Sequence, residues 1–368
     1  MDSKWAAGRV GLCGAVVVVA LACGLKERQL APRSPVEEGL VVEALERDLL
    51  ARHPAALPML SLPELAAEGL TFEAVVEETQ NFRIPIVIRG GAAGASGAWT
   101  LEGLGERHGG DTVVVKERFA GENGTTWWTH VNRTLGTFVD ALARGDLPAP
   151  TIVLGMRIMT KGTLSAEVAA PVDDLFRAGS KTEQLVVTPA AWDTFYHNEP
   201  GVNVYKVVTG RKLWRFVAPS ETRDLCPRDY AGGALQTCLR SLDEPRRSDV
   251  LARIPQYEVE IGPGDVLVNV PWWWHRVSTL CDEASIAVAQ RRIGLLPLKA
   301  GLRNAPFLQA NFLAKTLATV LLEKLSNALR GEDAGAFLDY VEQKTIAYGR
   351  HTCESFFGRS PEECAPDA

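Results

Sequence analysis

None of the seven cysteines forms a Cys-x-x-Cys pair, which argues against a zinc ribbon or a thioredoxin-type redox site. The chain also lacks a basic stripe. Its formal net charge is −6 and its pI is near 5.7, so the electrostatic footprint of a nucleic-acid binder is missing. There are no internal repeats and no extended low-complexity tracts. Past Leu25 no apolar run approaches the about 20 residues that a membrane-crossing helix needs. Histidine is scarce, six in 368 residues, so a histidine in a distinctive context carries information.

What is present is the composition of a globular protein, 46% hydrophobic and 23% charged, enough to bury a substantial core. Lys4 and Arg9 precede an apolar run from Val10 to Leu25, closed by Lys26, Glu27 and Arg28. A positive leader, an apolar middle and Ala20-Leu21-Ala22 fit a secretory signal peptide over residues 1–28. An uncleaved N-terminal membrane anchor, with the remainder in the lumen of the secretory pathway, is the rival reading. Cysteine usage agrees with that address: Cys226 with Cys238, and Cys353 with Cys364, suit local disulfides, which leaves Cys281 free. Two glycosylation acceptors, at Asn123 and Asn132, are usable only in a glycosylating lumen.

The pattern along the chain changes three times. Residues 29–79 read as a linker with short helical pieces, one of them opened by Ser61, with Pro63 in the first turn and Glu64 completing a capping box. Residues 80–295 carry many short strands punctuated by Gly and Pro, at Ile84–Ile88, Thr112–Val115, Thr151–Met159, Leu185–Thr188, Tyr257–Ile261, Val266–Val270 and Ser285–Ala289. Helices are expected after the cap at Thr100 and over Leu135–Ala143. Ala120–His130 and Val172–Ala178 read as a loop and a surface connection, and Pro219–Pro255 as a polar insertion. Residues 296–368 turn helical. Phe307, Leu308, Phe312, Leu313, Leu317, Val320, Leu321 and Leu325 recur at three- and four-residue intervals, an amphipathic stripe suited to docking on the strands or pairing with a second copy. A second helix is expected over Ala334–Ala347. Mainly β with flanking helices is the fold class, and the strand pattern suits a double-stranded β-helix of the jelly-roll kind.

The chemistry concentrates between Asp193 and Phe216. His197 and Glu199 are two residues apart, and in an extended strand such a pair shares one face. Pro263-Gly264-Asp265 leads to Trp272-Trp273-Trp274-His275 downstream. Two imidazoles and a carboxylate on one face of a metal leave open positions opposite, the arrangement of non-haem iron(II) oxygenases. Thr194 precedes His197 by three residues, and Asn203 and Lys212 follow it by six and fifteen.

These runs resemble the cupin-like Jumonji-C family of 2-oxoglutarate-dependent oxygenases, in its pattern Thr-x-x-His-x-Asp/Glu, then Asn, then Gly-x-Lys. The stretch from Pro263 to Val277 is similar to the family's second signature, and Arg83–Gly90 with Trp99-Thr100 to its opening strand. The resemblance implies His197, Glu199 and His275 as iron(II) ligands, and Lys212 as the partner of the distal carboxylate of 2-oxoglutarate. It implies a hydroxyl from Thr194 on that carboxylate and the Asn203 amide near the co-substrate, with Tyr205 as a lining residue. The family more often has Asp at the Glu199 position. Its upstream pocket tyrosine has no counterpart between Trp128 and Trp192. A protein or peptide side chain in the secretory lumen is the implied substrate.

Plainer readings stand beside these. Lys212 suits a solvated strand position, at least two of the three tryptophans suit packing, Asp265 suits a turn, and Gln290 can reach the site or miss it. The whole chain can also be read as a metal-dependent cupin that does not use 2-oxoglutarate, or as a non-catalytic lumenal binding module.

Overall fold

The computed structural model describes residues 35–92, 99–120, 126–146, 152–155, 172, 180–229, 234–280, 284–293, 295–310, 312–313 and 316. The leader, Asn123, Cys281, the Cys353/Cys364 pair and the second C-terminal helix lie outside them. Among the described residues no helix is long and apolar enough to cross a membrane.

Helices α1 (Pro35–Arg52) and α2 (Phe72–Glu78) flank two very short strands, β1 (Leu60–Ser61) and β2 (Glu64–Ala66). After β3 (Ile86–Arg89) come α3 (Leu101–His108), the hairpin β4 (Thr112–Ala120) and β5 (Thr126–Thr134), α4 (Leu135–Ala143), β6 (Ile152–Gly155) and β7 (Ser180–Thr188). The central part holds β8 (His197–Asn198), β9 (Val202–Thr209), β10 (Lys212–Val217), β11 (Pro227–Asp229), β12 (Leu235–Thr237) and α5 (Glu244–Leu251). Strands β13 (Tyr257–Ile261), β14 (Val266–Asn269), β15 (Trp274–Thr279) and β16 (Ser285–Ile293) then lead into α6 (Leu295–Asn304).

The strands form two sheets, in the orders β2-β3-β14-β9-β16-β7-β6-β4-β5 and β1-β13-β10-β15-β8-β12-β11. Pairing is antiparallel except for β1 with β13 and β2 with β3. The result is a mostly β, jelly-roll-like cupin fold. The sheets meet face to face: Tyr205 of β9 lies edge-on to Trp214 of β10 at 5.0 Å, and Lys212 of β10 reaches Thr188 of β7. The main core fills the space between them with Val207, Leu267, Ala287, Phe216, Val259 and Ile261. A second core lies on the far side of the larger sheet, where Leu104 of α3 and Phe138 of α4 pack on Leu185, Val187, Ile286 and Val288. A third, with Trp274, Leu225, Cys226, Cys238 and Val250, backs the smaller sheet.

Local signals and outcome agree where caps and periodicity coincide. Thr100 accepts from the Gly103 backbone N–H at 3.0 Å, and Thr134 caps α4 at Thr137, both ordinary N-caps. Elsewhere tertiary pairing overrides the local signal. Ser61 opens no helix; its segment pairs with β13, and Thr71 caps the helix instead. The linker expected after residue 29 contains one 18-residue helix, docked through Val42 and Leu49 and tied down by Arg52–Asp224 and Glu46–Arg246 ion pairs. Trp127 and Trp128 belong to β5 and not to a loop. Val172 is buried in the main core and does not lie on the surface; residues 173–179 are outside the described set.

The insertion at 219–255 is likewise more than a polar surface loop. It supplies most of the third core, and the Cys226–Cys238 disulfide closes its β11–β12 hairpin. The C-terminal helical region starts at Leu295, one residue before the expected boundary and twelve before Phe307 opens the stripe, and breaks at Ala305-Pro306, as expected where proline cannot continue a helix.

Candidate metal centre

His275 of β15 and His197 of β8 are direct cross-strand partners. Their rings lie 4.3 Å apart, centroid to centroid, at 55°. Each is oriented in the same way, because its Nδ1 faces the backbone carbonyl two residues earlier. His197 Nδ1 is 2.9 Å from Phe195 O, and His275 Nδ1 is 3.1 Å from Trp273 O. A proton on Nδ1 donated to a carbonyl puts the lone pair on Nε2, the tautomer that a metal-binding imidazole needs. Burial lowers the His275 pKa below the ordinary histidine value, although Glu199 opposes the shift. The ring is therefore neutral at neutral pH.

The run Trp272-Trp273-Trp274 fixes this end of the sheet. All three rings are buried, and their N–H groups donate to Gln309, Arg83 O and Thr222 respectively. Packing accounts for all three. Asp265 serves the turn before β14, accepting from Gly262 N at 3.0 Å and from Arg89 at 2.7 Å.

Glu199 reaches this centre by another route than the one expected. Strand β8 ends at Asn198, so the alternation of a continuous strand does not place the carboxylate. Instead Trp272 N donates to Glu199 O at 2.9 Å, stitching the two ligand-bearing segments together. One carboxylate oxygen, Oε2, accepts from Arg291 Nε at 2.9 Å, while Oε1 is buried without a hydrogen-bond partner. Burial pushes this carboxyl up, but the Arg291 guanidinium and the nearby imidazoles outweigh it and hold it below the usual range. No three His, Cys, Asp or Glu side chains among the described residues close into a metal cage. The donor set still suits a divalent cation: two oriented imidazoles and one orphaned, ionised carboxylate oxygen.

Across the interior the larger sheet contributes a polar row. Asn269, Asn203 and Arg291 are cross-strand neighbours on β14, β9 and β16. The Asn269 amide lies 3.3 Å from His275 Nδ1, so the row faces the imidazoles; beside a protonated Nδ1 the amide turns its oxygen, an acceptor, to the ring. Asn203 Oδ1 is buried without a partner, a condition that ordinarily calls for a ligand or water. Tyr205, two residues from Asn203, packs on Trp214, and burial raises its pKa.

Lys212 lies further along the same interior face and is fully buried rather than solvated. Its ammonium donates to Thr188 and, at 2.8 Å, to Thr279, and it lies 5.5 Å from the Trp192 ring centroid. Thr194 does not join it. Its hydroxyl accepts from Val277 N at 2.8 Å, so the hydroxyls beside Lys212 come from β7 and β15. Gln290 bonds to Glu183 on the opposite face of β16 from Arg291 and takes no part. Sequence reasoning missed Arg291, Asn269, Thr188 and Thr279. The available signal was polarity inside apolar strands: Asn269 ends Val-Leu-Val-Asn, and Arg291 interrupts β16.

A two-sheet barrel with paired imidazoles at one end of its interior and a buried cation at the other defines a cupin-type protein. Residues 73–290 match the cupin-like domain family, and the chain belongs to that family. It is similar to the Jumonji C domain-containing protein 5 of Drosophila melanogaster, 29% identical over 101 residues, which cover 27% of this chain and 25% of that protein. The similarity thus spans about a quarter of the relative's length. Together these matches support a Jumonji-C cupin-like domain, and a domain of this class points to metal-dependent, oxygenase-type chemistry.

Proposed function

We propose that the chain is an iron(II)- and 2-oxoglutarate-dependent oxygenase that hydroxylates a protein or peptide side chain. The observation that carries this reading is one shared interior. His197 and His275, with Nδ1 turned to backbone carbonyls, face the same space between the sheets as the buried ammonium of Lys212. His197 and His275 through Nε2, and Glu199 through Oε1, would hold the metal. When bound, iron(II) and 2-oxoglutarate would supply, with dioxygen as oxidant, decarboxylation to succinate and carbon dioxide coupled to insertion of the other oxygen atom into a C–H bond.

The chain's own task is binding, orientation and exclusion of water. Lys212 would pair with the distal carboxylate, because a desolvated ammonium is offset best by an opposite charge, with Thr188 and Thr279 as neighbouring hydroxyls. The Asn203 amide, whose oxygen is buried without a partner, would meet polar atoms of the co-substrate, and Tyr205 and Trp214 would wall the interior. The leader makes the secretory lumen the proposed location, anchored or free.

The test is succinate release from 2-oxoglutarate by the purified chain with iron(II), read with and without candidate peptides. His275→Ala and Lys212→Ala should each abolish it. Turnover that survives in Lys212→Ala while His275→Ala is dead would instead favour a metal-dependent cupin reaction without 2-oxoglutarate.

A further inference from the structure

The pairing of Glu199 with Arg291 has no counterpart in the ligand set that the sequence implied. We propose that Arg291 is a positioning residue that competes with the metal for the charge of Glu199, tethering one carboxylate oxygen while the other is left for the metal, and setting metal affinity low. This rests on the reading of His197, His275 and Glu199 as the metal ligands.

Three observations support the competition. Arg291 Nε lies 2.9 Å from Glu199 Oε2, a charge-assisted hydrogen bond. The guanidinium is itself fixed from the other side, because Nη1 donates to the buried Gln184, so the fork spans two acceptors and resists swinging away. The Glu199 side chain is only 16% exposed against 40% for Arg291; the cation stands at the wet edge and draws the carboxylate towards it. Geometry and charge then act with the same sign. The ion pair fixes Oε2 and leaves Oε1 as the one donor turned to the metal, and a guanidinium in contact with a ligand repels a dication. Glutamate rather than aspartate suits this arrangement, since the extra methylene gives the carboxylate reach to move between arginine and metal.

The experiment is titration of the metal-free full chain with cobalt(II), followed by calorimetry and by visible d–d absorption, which reports coordination independently of turnover. Arg291→Gln, which keeps an amide for hydrogen bonding but removes the charge, should bind cobalt(II) about tenfold more tightly than wild type, the weight of one partly exposed charge-assisted hydrogen bond. Its absorption should also change as the carboxylate joins the imidazoles. A gain in affinity is not what general damage to the fold would give. Arg291→Lys keeps the charge but cannot span Glu199 and Gln184 together, and it should tighten binding a fewfold; it decides the matter if the glutamine variant does not fold. Unchanged or weaker cobalt(II) binding in folded Arg291 variants would overturn the proposal, even with binding abolished by His275→Ala. Cobalt(II) binding that survives His275→Ala would overturn the metal-centre reading and this proposal with it.

Discussion

Removing the Cys226–Cys238 cross-link tests how the imidazole at 197 is held. The two cysteines are 12 residues apart in sequence and bracket the β11–β12 hairpin. Strand β12 pairs with both residues of β8, Leu235 with Asn198 and Gln236 with His197. Thr237 N also donates to Tyr196 O at 2.9 Å, and Leu235 N to the Asn198 side chain at 3.0 Å. His197 therefore sits on a two-residue strand clamped between β15 and a hairpin that the disulfide closes. Closing a loop of this size in the unfolded chain costs about 3 kcal/mol of chain entropy, so Cys226→Ala/Cys238→Ala should lose about that much stability in urea denaturation. Reduced wild-type protein keeps both sulfurs, and comparison with it separates the cross-link from packing in the third core. Hydrogen exchange should speed up at residues 196–198 and 235–237 more than in β13 or β16. A loss below about 1 kcal/mol, or unchanged protection of β8, would refute the argument that the disulfide supports the metal-binding strand.

Acidification should destabilise the metal-free protein. His275 has a depressed pKa in the folded state, so below its unfolded value of about 6.5 the unfolded chain binds more protons and stability falls with falling pH. Glu199, also depressed, contributes stability above its unfolded pKa that is lost as pH falls through the folded one. The melting temperature measured in chelator should therefore drop from pH 7 towards pH 5, less steeply in His275→Gln; a rise over that range would contradict the assignment. Phe138→Ala removes a fully buried ring from the second core and should cost about 3–5 kcal/mol, read from urea midpoints, while leaving cobalt(II) affinity intact. Lys212→Met exchanges a fully buried ammonium for an apolar chain of similar length. The melting temperature should hold or rise while succinate formation disappears, and a large destabilisation would mark Lys212 as structural.

The amino-acid sequence alone carried the strand-rich class, the cap of α3 and the span of α4, the Cys226–Cys238 pairing, and the residues His197, Glu199, His275 and Lys212 as the set worth examining. Each of these is written in spacing over a few residues or in a motif, and short-range steric and hydrogen-bonding rules suffice to read it. Tertiary structure alone decided what those side chains touch. The Ser61 segment became a strand because β13 offered it partners, and the polar insertion became a core because α1 and Trp274 close over it. Arg291 and Asn269 met the centre only through the registers of β16 and β14 on β9. Such contacts join residues tens of positions apart, and which long-range partner wins depends on burial and pairing summed over the whole barrel, a quantity that no local window contains.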